Sequence, residues 1–246
     1  MQTGPPSPPQ ATHVAITSTT GNYGRGVTAQ RYRQAPVRFL QTPPATEVGR
    51  RLPRLLLGLV ICGVGLALII RADLGLDSWN VLHQGIEGQT GVSIGMVTIL
   101  VGFAMFAISL PLGEQIGVGT ILNVLLIGTT IDLVLWPLDE PENTALRWAF
   151  LVGGTLLFAV GSGFYIGAGL GPGPRDGVMT SLAARGLSVG VVRTGIEIVV
   201  LAVGWLLGGS VGVGTVLFAL AIGPLVAFFL RRLSLEPVGP TTLEAY

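Results

Sequence analysis

Six side chains sit at or near breaks in otherwise apolar stretches: Asp77, Trp79, Asn123, Arg175, Asp176 and Glu197. A charge inside lipid costs about 2.5–3.5 kcal/mol on insertion scales, so such residues face the protein interior or water. Their chemistry is that of substrate binding, gating or proton coupling. Asp77 and Trp79 belong to the break Ala72–His83, which reads ADLGLDSWNVLH. Arg175 and Asp176 belong to the break Ala168–Arg185, which reads AGLGPGPRDGVMTSLAAR. Glu197 lies within an apolar run one turn after Arg193. It suits a coupling carboxylate, or the acid half of an i,i+4 pair at the helix end. Asn123 suits a polar ligand or a neighbouring helix equally.

After each break the chain resumes as a short helix. Asp77 and Asp176 each stand where an N-cap would, accepting orphan amides at a positive helix end. The stretches Ser78–Glu87 and Val178–Leu187 are roughly amphipathic at 3.6 residues per turn and too short to span. Each reads as a re-entrant half-helix or as a helix lying at the interface. Gly169–Gly177 is not a phosphate-binding loop, because no Gly-Lys-Ser/Thr follows and no strand precedes it. It reads as a tight break, or as a nest of amides for an anion. His83 reads as an exposed interfacial histidine, and Asp132 as interfacial or functional.

The elements that must position these residues follow from composition. The chain has 246 residues, 50% hydrophobic and only 11% charged, where soluble domains carry roughly a quarter. Its mean hydropathy is +0.69. Residues 1–48 hold no apolar run and read as a disordered tail. Arg50, Arg51 and Arg54 then precede Leu55–Ile70, a signal anchor that stays as the first span. Five more runs follow: Val92–Leu112, Gln115–Trp136, Trp148–Leu170, Val189–Leu207 and Val211–Leu230. Lipid offers backbone groups no partners, so these must be helices. Residues 233–246 form a second tail. The single cysteine, Cys62, and two histidines give no reason to expect a zinc or haem cofactor. A net charge of +1 gives none to expect nucleic acid.

The two halves repeat. Leu74–Gly75 matches Leu170–Gly171, and Ser93–Ile94–Gly95 matches Ser188–Val189–Gly190. Gly117–Val118–Gly119–Thr120 matches Gly212–Val213–Gly214–Thr215, and Ile127–Gly128 matches Ile222–Gly223. The offset is 95 or 96 throughout. The reading is an all-α integral membrane protein of six transmembrane helices, as two inverted three-helix repeats over 49–138 and 139–232. Three spans per half invert the second copy, and paired Gly/Pro breaks at matching places point to a transporter's binding region. Arginine asymmetry orients it. Arg50, Arg51, Arg54, Arg175, Arg185, Arg231 and Arg232 fall inside, with only Arg71 and Arg147 outside. Both termini are therefore expected in the cytoplasm. Gly91–Gly95, Gly163–Gly167, Gly186–Gly190 and Gly204–Gly208 have spacing that suits close helix packing, within or between protomers.

The pattern ADLGLDSWNVLHQGI…GVSIG followed by IGVGTILNVLLIGTTIDL resembles the YczE/YyaS/YitT family of bacterial membrane proteins. The matching positions are Leu74, Gly75 and Trp79, then Gly117, Gly119, Thr120 and Asn123, then Gly128 and Asp132. The resemblance covers residues 52 to 232 and implies a multi-pass inner-membrane protein without naming a substrate. The expected function is a secondary transporter or permease-like protein for a small solute. The alternative is a non-transporting scaffold that assists another protein, with a groove of small and apolar residues. An embedded enzyme is not expected, since no serine–base, paired-carboxylate or histidine-rich constellation is evident.

Overall fold

The computed structural model describes residues 45–112, 117–171, 173–183 and 188–235. The N-terminal tail to residue 44, Arg185 to Leu187 and residues 236–246 lie outside the described residues. The described residues hold eight α-helices and no strand: α1 (Ala45–Ala72), α2 (Ser78–Thr90), α3 (Ile94–Ser109), α4 (Val118–Leu135), α5 (Thr144–Gly167), α6 (Pro174–Ala183), α7 (Val189–Leu206) and α8 (Val213–Leu233). A 3-10 turn at Leu110–Leu112 ends α3.

Helix ends fall at residues that satisfy orphan amides. The Ser93 hydroxyl accepts the Met96 amide at the start of α3, and the Ser188 hydroxyl accepts the Val191 amide at the start of α7. The starts of α4 and α8 use another device. Each follows a glycine, and the hydroxyl of the third helical residue, Thr120 or Thr215, accepts that glycine's amide at 3.3 and 3.1 Å. The first helix begins at Ala45, four residues inside the stretch expected to be tail. The Glu47–Arg51 pair supports this extra turn, and Val48 packs on the core.

Among the described residues, five helices are long and apolar enough to cross a membrane: α1, α3 with its 3-10 turn, α4, α5 and α8. The outward faces are apolar, with Leu100, Phe103, Ile108, Leu133, Ile198, Val199 and Leu220 all exposed. Polar side chains are instead inside: Asp77, Asn80, His83, Thr98, Asn123, Thr155 and Ser162 are buried. That is the polarity of a protein whose solvent is lipid.

The largest seam joins α1 to α5. It depends on glycine. A Cβ on Gly58 would come within 2.8 Å of the Gly161 carbonyl oxygen, and one on Gly65 within 2.6 Å of the Gly154 oxygen. Only small residues let backbones approach so closely. Around the seam lie Leu55, Leu59, Leu66, Ile69 and Leu151, all fully buried. Of the four GxxxG pairs, Gly163–Gly167 is used at both ends, Gly91–Gly95 and Gly204–Gly208 at one end each, and Gly190 faces open space, while Gly186 lies outside the described residues. Gly163 packs on Phe229, Gly167 on Leu233 and Ser234, and Gly204 on Leu82.

The breaks dock on the glycine-started helices, each on the one from the other half. The Gly119 amide donates to the Leu170 carbonyl at 3.0 Å, and the Gly214 amide to the Leu74 carbonyl at 2.7 Å. Gly75 and Gly171 take φ of 102° and 126°, conformations that L side chains rarely adopt. The two outer seams differ. Between α3 and α4, Gly95 lies directly against the Gly128 carbonyl. The Asp132 carboxylate there accepts the Ser93 hydroxyl at 2.6 Å and the Gly95 amide at 2.8 Å. Between α7 and α8 no comparable seam forms among the described residues, and open space surrounds Gly190 where a Cβ would go.

Candidate functional site

The first break turns inward after Ala72 and restarts as α2. Asp77 is its N-cap: one carboxylate oxygen accepts the Asn80 amide at 3.4 Å and the other accepts the Asn80 side chain. The second break restarts as α6 at Pro174, not after Asp176. Proline suits the first helical position, where its missing amide is no loss. Asp176 is therefore a first-turn residue rather than the N-cap expected from the sequence. It still faces the positive helix end, and it accepts the Tyr165 hydroxyl at 3.2 Å.

Both half-helices present their first turns to one cavity of about 110 Å³. All six sequence-selected residues line it: Asp77, Trp79, Asn123, Arg175, Asp176 and Glu197. They come from α2, α4, α6 and α7. Asp77, Trp79 and Asn123 are buried, while Arg175, Asp176 and Glu197 are half-buried. The Arg175 guanidinium lies over the Trp79 ring, 5.2 Å from its centroid. Glu197 accepts from Arg193 at 3.1 Å, so the i,i+4 pair forms and also lines the cavity.

Several lining residues carried no sequence signal of their own. Ser162 and Tyr165 come from α5, and Thr215 and Phe218 from α8. Thr215 belongs to the Gly-x-Gly-Thr repeat, which could have marked it. Tyr165 lies in a run that reads only as a span. His83 is not interfacial but 2% exposed, held through Nδ1 by the Thr98 hydroxyl at 3.0 Å and the Asn80 side chain at 3.4 Å. Its Nε2 has no hydrogen-bond partner among the described residues. With Trp79, Thr98, Asn123 and Arg175 it lines a smaller pocket adjoining the first. Asp132 lies elsewhere and serves the α3–α4 seam. No group of three or more His, Cys, Asp or Glu able to hold a metal occurs among the described residues.

Long apolar helices, a lipid-facing apolar surface and a polar interior define a multi-pass helical membrane protein. Residues 49–231 match the model of DUF6198, a family of unknown function, and the chain belongs to this YczE-like family. An uncharacterized protein of Haemophilus influenzae (strain ATCC 51907) is 41% identical over 187 residues, covering 76% of this chain and 86% of the relative. The uncharacterized membrane protein YczE of Bacillus subtilis (strain 168) is 33% identical over 181 residues, covering 71% and 83%. No solved structure matches.

Proposed function

We propose that this chain is a secondary transporter of a small solute, with six spans in two inverted three-helix repeats. The carrying observation is the cavity: one half-helix from each half of the chain brings its first turn to the same polar space. Half-helix ends that meet near the middle of a membrane are how transporters of this architecture hold a solute.

Paired contacts support the inversion. Shifting residue numbers by 95 or 96 turns the Gly119–Leu170 hydrogen bond into the Gly214–Leu74 one. The same shift turns the Gly58–Gly161 contact into Gly65–Gly154, as a two-fold axis between antiparallel helices would require. In this reading α7, at 18 residues, is the sixth span, and its Arg193–Glu197 pair faces the cavity rather than lipid. Both termini lie in the cytoplasm of a bacterial inner membrane. The opposite end carries just two arginines, Arg71 and Arg147, paired with Glu140 and Asp73, and the excess of arginine on the terminal side supports this orientation. The scaffold alternative expects a groove of small apolar residues, and three carboxylates and two guanidiniums in the cavity weigh against it.

Two measurements test the proposal. On a Cys62→Ala background, single cysteines replacing Asn143 and Ser234 should react with an impermeant thiol reagent from opposite faces of oriented vesicles. Labelling of both from one face would end the six-span topology. Proteoliposomes should take up a solute in a protein-dependent and saturable way, and Asp176→Asn should alter that uptake. If a broad solute panel shows no protein-dependent flux, the transport reading is wrong.

A further inference from the structure

The partners of each charged group in the cavity narrow the class of solute, given the transport reading above. Glu197 is matched by Arg193. Asp77 is engaged in capping α2. Asp176 accepts from Tyr165. Arg175 differs: its guanidinium rests on the Trp79 ring, and among the described residues it forms no ion pair. A half-buried guanidinium beside an aromatic face, without a carboxylate, is poised for an anion brought by something else.

A second observation points to the same place. Asn123 is 9% exposed, lines the cavity, and its side chain makes no hydrogen bond among the described residues. Its amide opens onto the cavity, where it is available to a ligand. Its Nδ2 atom lies 3.6 Å from where a Cβ on Gly173 would sit, facing the first turn of α6 that carries Arg175. A guanidinium and an amide N–H on one side of a cavity match the two oxygens of a carboxylate. Yet the lining holds three carboxylates against two guanidiniums, so a simple anion would add to an existing excess of negative charge. A ligand that also carries an ammonium avoids this. A cavity of about 110 Å³ holds roughly seven to ten water-sized groups, the size of a small amino acid.

From these observations we infer that the cavity takes a small zwitterion of amino-acid size, with its carboxylate on Arg175 and Asn123 and its ammonium toward Asp176. The test is equilibrium binding to the full chain in nanodiscs. The probes are glycine, L-alanine, L-serine and L-threonine, with ethylamine, propionate and propionamide as fragments of alanine. At least one amino acid should bind, and loss of either charged group should weaken binding about tenfold or more. Arg175→Gln should remove the advantage of alanine over ethylamine, and Arg175→Lys should restore part of it. Asp176→Asn should remove the advantage over propionate.

If no amino acid binds, or if either charged fragment binds as tightly as alanine, the inference is overturned. Because the fragment comparison uses the unaltered protein, misfolding of a variant cannot obscure the result. Flux in proteoliposomes separates the two levels. Arg175-dependent binding without flux would end the transport reading and leave the zwitterion site standing. Saturable flux of another solute that is insensitive to Arg175→Gln would do the reverse.

Discussion

At the scale of single residues, the interior is organised by short polar links. Asp77, Asn80, His83 and Thr98 form a continuous chain of contacts from the cavity to α3. Asp77→Ala removes an N-cap and should cost about 0.5–2 kcal/mol, whereas Asp77→Asn should cost much less because asparagine caps as well. Thermal unfolding in detergent would read the difference. Thr98→Val strips His83 of its closer partner and should destabilise by about 1–3 kcal/mol, the cost of a buried group left unsatisfied. Single-residue roles were partly legible in the sequence. An aspartate just before a helical run is a strong local signal, and Asp77 carries it. Asp176 misled because Pro174 at the first helical position is an equally good start, two residues earlier. His83 misled because burial on α2 does not follow hydrophobicity. Trp79, Asn80, Val81, His83 and Gly85 all face inward, since α2 borders the polar cavity.

At the scale of elements, glycine decides which helices meet. Gly161→Ala places a methyl group 2.6 Å from the Gly58 carbonyl oxygen, and overpacking of this kind should cost about 1–3 kcal/mol. Gly153→Ala, eight residues earlier on the same helix, meets nothing within 4 Å. It should be neutral or slightly stabilising, because alanine is the better helix former by about 1 kcal/mol. Comparing the two melting temperatures isolates the seam from helix propensity. The apolar runs were legible almost throughout, because a segment in lipid has no alternative to the helix. Their ends were less so. Helices α3 and α4 start at Ile94 and Val118, two and three residues later than the expected runs, since the caps at Ser93 and Gly117 rather than hydropathy decide where the ladder begins. The α1–α5 seam was not legible, because glycines on α1 and α5 declare no partner until the backbones are brought together.

At the scale of the whole molecule, the consequence lies in the unequal outer seams. Asp132 ties the start of α3 to α4 through Ser93 and Gly95. Advancing by the 95-residue offset, Ser188 and Gly190 are kept at the start of α7, but the position of Asp132 becomes Ala227. The second copy thus retains the receptor for a latch and has lost the bolt. Under the proposed inverted repeat, one gate is held shut by two hydrogen bonds, and its counterpart has neither bond and no packed seam among the described residues. Asp132→Asn should loosen the first, raising crosslinking between cysteines placed in the cavity and impermeant reagents from that side. Ala227→Asp should fit the missing bolt. Cysteines replacing Gly190 and Gly223 would then crosslink more readily, and uptake should fall while the protein stays folded. If added charge at 227 leaves both readings unchanged, the two gates are not equivalent copies. The division of labour between them would make this a molecule that rests with one door barred and the other merely ajar, so that its resting state, and the side from which it first admits a solute, is set by one acid that the second copy lacks.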